Sequence, residues 1–268
     1  VAIAIKRGSS TTSLFLTHEG SGLTLYAHEI APYLDSRINV YALPPDQNPA
    51  AAGVETLASR MVETLRRIQP EGPYNVAGWS FGGLIAYEIA KQLLGAGHHL
   101  NFVGLLDTNY PNGLPAPYRS QPTDFDNKQQ LATYLEPLTA PHRKLLDYYK
   151  SERDMTFESM VQQCQRMELM PAHFREVSPS HIHKWLFRSH IYAQASAQYV
   201  VTELPLTIDL FVTDHGPAIQ RTLGWETVLS AEHLRITDIG GTHHSMLQPP
   251  HVASLGAAMS RFTLTFKE

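Results

Sequence analysis

The chain has 268 residues, 43% hydrophobic and 17% charged, enough apolar material for one large α/β domain or two small ones. Its formal charge of −4 comes from 21 Lys and Arg against 25 Asp and Glu, without a basic block, so nothing points to nucleic acid or an anionic membrane. A single cysteine, Cys164, excludes an internal disulfide, and no run reads as a membrane span or signal peptide; a soluble, cytoplasmic protein is expected.

In chain order, Val1 to Ile5 alternates weakly and predicts an edge strand, and Ser13 to Thr17 predicts a second strand ending at His18-Glu19-Gly20. Leu23, Tyr26, Ala27, Ile30 and Leu34 recur at helical spacing, with Pro32 expected to end or bend that helix near Ala31. Ile38 to Leu43 reads as a strand stopped by Pro44-Pro45. Val54, Leu57, Ala58, Met61, Val62, Leu65 and Ile68 give an amphipathic helix halted by Pro70. Tyr74 to Ala77 then suits a buried strand, Phe81 to Leu94 a helix closed by Gly95-Ala96-Gly97, and Leu100 to Leu106 another strand, ending at Asp107. This alternation predicts a mostly parallel sheet flanked by helices.

From about 111 to 201 the alternation stops. Pro111 to Pro122 reads as a loop, followed by candidate helices at Lys128–Leu135, Pro141–Tyr149, Phe157–Met167 and Pro179–Tyr199; in the last, Ile182, Trp185, Leu186 and Tyr192 share a face. A helical insertion of this length is expected to be a lid over an active site within a single 1–268 domain, against the alternative of a separate helical domain. Strands resume at Leu206–Val212 and Leu234–Ile239, and Val252, Leu255, Met259 and Phe262 mark a closing helix.

Between the strand at Tyr74 and the helix at Phe81 lies Gly78-Trp79-Ser80-Phe81-Gly82. A Gly-x-Ser-x-Gly run between strand and helix predicts a nucleophile elbow, with Ser80 exposed at the carboxyl end of the sheet. A Cβ at Gly78 or Gly82 would collide with a neighbouring strand or helix in so tight a turn. The bland alternative is a glycine-rich loop with an incidental serine. A serine hydroxyl needs a base and a group that orients it. Of the 14 histidines, His243 and His244 alone follow the last strand through glycines; His243 is the first choice, although spacing does not separate the two. Asp107 and Asp214 each end a strand and qualify equally as the acid, each also suited to capping a turn. The oxyanion hole is expected at the amide of Phe81 and at the early loop, where Gly20 is the candidate. No ligand cluster predicts a metal, and Gly20-Ser21-Gly22 lacks the third glycine of a dinucleotide turn.

Several segments together resemble the thioesterase domains that end nonribosomal peptide synthetases, with polyketide synthase relatives. They are Ile68-Gln69-Pro70-Glu71-Gly72-Pro73-Tyr74, the run from Val76 through Gly78-Trp79-Ser80-Phe81-Gly82-Gly83 to Ala90, Leu105-Leu106-Asp107 and Gly241-Thr242-His243-His244-Ser245-Met246-Leu247. The match is dense to Asp107, thin across 111–201, and returns at the His loop. The resemblance implies an α/β-hydrolase fold with a helical lid, and assigns the acid to Asp107, as in assembly-line terminal domains; stand-alone editing thioesterases usually take it from the later strand, here Asp214. The family's Gly-x-His-x-x-Met pattern falls on His243. The loop at His18-Glu19-Gly20 departs from the commoner proline-containing version.

The implied reaction is release of an acyl or peptidyl chain from the phosphopantetheine of an upstream carrier domain, through an acyl-Ser80 intermediate, by hydrolysis or macrocyclisation, without a bound cofactor. The start at Val1, without a methionine, fits a piece excised from a longer synthetase. The rival readings are a stand-alone type II editing thioesterase, a lipase or small-molecule esterase, and a catalytically inactive α/β-hydrolase binding module.

Overall fold

The computed structural model describes residues 1–45, 53–111 and 124–265. The chain divides into two compact units, Val1–Gln121 together with Tyr192–Glu268, and Pro122–Ile191.

Among the described residues the first unit is built on seven strands: β1 (Ile3–Lys6), β2 (Ser13–Thr17), β3 (Asn39–Leu43), β4 (Tyr74–Trp79), β5 (Leu100–Leu106), β6 (Ile208–Val212) and β7 (Leu234–Asp238). Their order across the sheet is β1-β3-β2-β4-β5-β6-β7. Only β1 runs antiparallel, on β3 at the edge; β2 through β7 pair in parallel. Every residue of β2 and β6 is buried, as expected of strands covered on both faces. One face carries α1 (Tyr26–Ile30) and α8 (His251–Leu264). There Leu14, Leu16 and Phe102 join Ala27, Ile30, Val252, Leu255 and Met259 in one core.

The alternate strand positions Phe15, Val76, Val103 and Leu105 are equally buried and point to the other face. α3 (Phe81–Gly95) covers that face against β4 and β5, with α2 (Val54–Ile68) packed beside it. α3 is buried almost all round, as a central helix must be, whereas α2 buries Val54, Leu57, Ala58, Met61 and Leu65 only. Val62 is half-buried, and Ile68, the last residue of α2, is exposed. Pro32 acts as expected: α1 stops at Ile30 and a 3-10 turn spans Ala31–Tyr33.

The second unit holds α4 (Asn127–Leu135), α5 (Arg143–Ser151), α6 (Phe157–Arg166) and the first turns of α7 (Pro179–Gln198). It has its own core, in which Leu131, Leu135, Leu146, Met160, Cys164 and Ile182 are central. α4 is capped by the Asp126 carboxylate, which accepts from Gln129 N at 2.9 Å, and α6 by Thr156, which accepts from Ser159 N at 3.1 Å. Burial pushes the Cys164 thiol up to about 11. The shared face expected along α7 divides: Ile182, Leu186 and the half-buried Trp185 pack in this core, while Tyr192 belongs to the first unit and stacks on His18 and Phe81. The expected loop from Pro111 to Pro122 lies, beyond its first residue, outside the described residues. Among those residues no helix is long and apolar enough to cross a membrane.

Candidate active site

The carboxyl ends of the central strands step past one another, and each step leaves a side chain just beyond the last ladder pair. Ser80 N donates to Leu106 O at 2.9 Å, Asp107 N to Phe211 O at 2.8 Å, and Asp214 N to Gly241 O at 2.9 Å. Ser80 and Asp107 both adopt positive φ, 56° and 48°, a region non-glycine residues enter at a cost of about 1–3 kcal/mol each. That strain is tolerated because neighbours hold both backbones. The Ser80 carbonyl accepts from Gly83 N at 3.1 Å and from Thr108 Oγ1 at 2.9 Å, and Thr17 Oγ1 donates to Gly82 O at 2.8 Å.

The glycines of the elbow are required for space. A Cβ on Gly78 would strike Gly82 O and Thr17 Oγ1, and one on Gly82 would stand 2.6 Å from His18 O. α3 thus starts directly against β2 and β4, with Phe81 at its first position, where a helix amide has no intrahelical acceptor. Gly20 lies alongside: a Cβ built there would sit 3.5 Å from Phe81 Cβ, an ordinary contact. Its loop is ordered by the Glu19 carboxylate, which accepts from Ser21 Oγ, from Ser21 N at 2.8 Å and from Leu23 N at 3.1 Å. Neither the Phe81 nor the Gly20 amide donates a hydrogen bond among the described residues.

His243 is delivered by the turn after β7, where Gly240 and Gly241 take φ of 78° and 73°. Its Nδ1 lies 2.7 Å from Asp107 Oδ2. Because an ionised carboxylate only accepts, Nδ1 carries the proton and Nε2 is left as the basic nitrogen. Trp79, next to Ser80, fixes this imidazole twice: the rings stack with centroids 4.9 Å apart, and the indole N–H donates to His243 O at 3.1 Å. His244 is exposed and packs edge-on against the same indole; among the described residues it meets no carboxylate.

Asp107 is fully buried, and each of its oxygens accepts two hydrogen bonds. Thr213 N (3.0 Å) and His215 Nε2 (2.8 Å) reach Oδ1, and Thr213 Oγ1 (3.0 Å) and His243 Nδ1 (2.7 Å) reach Oδ2. Burial alone would raise this carboxyl, but the bonds from His243 and His215, the His243 charge and the Thr213 amide outweigh it and hold Asp107 below the usual carboxylate range. Asp214 behaves differently. Its Oδ1 accepts from Gly216 N at 2.9 Å in a local turn, and among the described residues its carboxylate makes no hydrogen bond or ion pair with either histidine of the pair on Asp107.

The structure therefore brings Asp107 and His243 together beside the Ser80 elbow, sets Phe81 and Gly20 against each other, and leaves Asp214 and His244 aside. Ser80 Oγ and His243 form no hydrogen bond among the described residues, and such bonds often tighten only with substrate bound. No group of three or more metal-ligating side chains clusters among the described residues.

A family model for the thioesterase domain matches residues 12–256. The chain belongs to the thioesterase domain family. It is 30% identical to malpinin synthetase of Mortierella alpina over 60% of this chain and 2% of the synthetase. It is 26% identical to the non-reducing polyketide synthase terA of Aspergillus terreus over 96% of this chain and 12% of that enzyme. The chain thus spans only a small part of these curated relatives.

Among solved structures, this thioesterase domain is similar to the four-domain nonribosomal peptide synthetase AB3403 (TM-score 0.80, 23% identity, 99% of this chain and 20% of that one). It is also similar to the NocB thioesterase domain (0.68, 22%, 98% and 99%) and to the surfactin thioesterase domain (0.65, 18%, 99% and 96%). At such identities the likeness is one of fold, and it is the α/β-hydrolase fold that the resemblance implies. Two partners of Asp107 in this thioesterase domain, Thr213 and His215, lie outside the residues that motif spacing singles out. The one available signal is position, since both sit at the end of β6, beside Asp214.

Proposed function

We propose that this thioesterase domain terminates chain assembly, taking an acyl or peptidyl group from a phosphopantetheinyl carrier domain onto Ser80 and releasing it. The observation that carries the reading is the 2.7 Å bond between His243 and a buried, four-fold hydrogen-bonded Asp107, on an imidazole stacked against the residue next to Ser80. His243 Nε2 takes the Ser80 hydroxyl proton as Oγ attacks the thioester carbonyl. The tetrahedral oxyanion is held by the amides of Phe81 and Gly20. Its collapse expels the pantetheine sulfur, which receives the proton from His243 and leaves as a thiol. In the second half, water or an internal amine or hydroxyl of the chain attacks the acyl-Ser80 carbonyl. His243 accepts that nucleophile's proton and returns it to Ser80 Oγ. Asp107 holds the tautomer and balances the imidazolium in both halves.

The choice of Asp107 favours a terminal domain over a stand-alone editing enzyme, and the fully furnished carboxylate favours catalysis over an inactive binding module.

Intact-mass measurement with acyl and peptidyl thioester surrogates tests the proposal. An acyl adduct on the wild type and none on Ser80→Ala is expected; equal adducts on both would remove Ser80 from the reaction. Product mass separates the two release routes, since a ring lacks the water present in the linear acid.

A further inference from the structure

Asp107 meets two imidazoles, one on each oxygen, at 2.8 Å from His215 and 2.7 Å from His243. His215 stands two residues past Thr213, so one short segment after β6 supplies three of the four donors to the carboxylate. The His215 side chain is 20% exposed, against 32% for His243. It lines a cavity of about 240 Å³ together with Asp214, Arg221 and Asp238. Within that cavity Arg221 is paired with Asp238, and Asp214 is engaged by Gly216 N. Asp107 is therefore the carboxylate with which His215 is bonded.

The geometry points to His215 as a positioning residue that acts through Asp107, fixing the plane of the carboxylate that holds His243. This rests on the acyl-transfer reading above. Oδ1, held by the Thr213 amide and His215, locks the rotation that presents Oδ2 to His243. Removing the His215 ring leaves Oδ1 held by the Thr213 amide alone, so the carboxylate loses part of what keeps Oδ2 turned toward His243.

The test is the separate measurement of kcat and KM on an acyl-thioester surrogate at one neutral pH. Wild type, His215→Ala and His215→Gln are compared in the full chain, with Ser80→Ala and Asp107→Asn alongside. His215→Ala strips a donor from a buried carboxylate and should lower kcat roughly tenfold with KM little changed. His215→Gln, whose amide donates to the same oxygen, should recover kcat to within roughly threefold of the wild type. A kcat unmoved in His215→Ala, or not recovered in His215→Gln, overturns the assignment, and should the alanine variant not fold, the kcat of His215→Gln against wild type decides alone. Full turnover by Ser80→Ala or Asp107→Asn would instead overturn the acyl-transfer reading itself.

Discussion

A carboxylate with no solvent exposure that stays below its ordinary pKa range is stabilised by its four donors, and that couples Asp107 to folding as well as to chemistry. Its folded-state value is depressed, so its contribution to stability is present above the unfolded value of about 3.9 and is lost as pH falls through the lower folded value. Urea midpoints of wild type and Asp107→Asn should differ at neutral pH and converge as the pH drops below that range. In turnover, Asp107→Asn should cost roughly 10⁴-fold, since the amide presents the wrong partner to His243. Asp214→Asn should stay within a few-fold, because its carboxylate serves a local turn. Steady-state kinetics on both variants checks the pair. Strand ends alone do not distinguish these acids. Both follow a buried strand, and what separates them is the direction each side chain takes, which at Asp107 depends on a positive φ that no pattern records. Thr213 and His215 are hidden for the same reason: past the end of β6, alternation no longer says where a side chain points.

At the level of elements the pattern carries further. α2 follows its apolar spacing, the parallel strands follow their continuous apolar runs, and Pro32 ends α1 where its missing N–H requires. The elbow is legible because its constraints are local. A buried strand and a helix separated by one residue leave no room for a Cβ at Gly78, whose substitute methyl would meet Gly82 O and Thr17 Oγ1. Gly78→Ala should therefore destabilise the fold by about 1–3 kcal/mol, read from urea denaturation, and displace Ser80 enough to slow acylation in the mass assay. The partners of the elbow are less visible. Thr17 and Thr108 each donate a hydroxyl to an elbow carbonyl, from β2 and from the turn after β5. Sequence distance conceals both contacts until the parallel register is known.

On the scale of the whole molecule, the helical stretch was legible as an interruption of the alternating pattern, and the structure gives Pro122–Ile191 a core of its own. Truncating that core at Met160, which is fully buried, removes about 2–5 kcal/mol of packing. Faster amide exchange in Met160→Ala should concentrate in Pro122–Ile191, with β4 and β5 keeping their protection; hydrogen–deuterium exchange mass spectrometry reads both. The insertion also lies between the strand that ends in Asp107 and the strands that lead to Thr213, His215 and His243. The bond from His243 to Asp107 closes a loop of 136 residues, a late and entropically costly contact in folding. During synthesis the nucleophile would thus leave the ribosome well ahead of its base. A chain halted at Ile191 should form no acyl adduct in the mass assay, so a stalled translation product would carry Ser80 without being able to discharge thioesters.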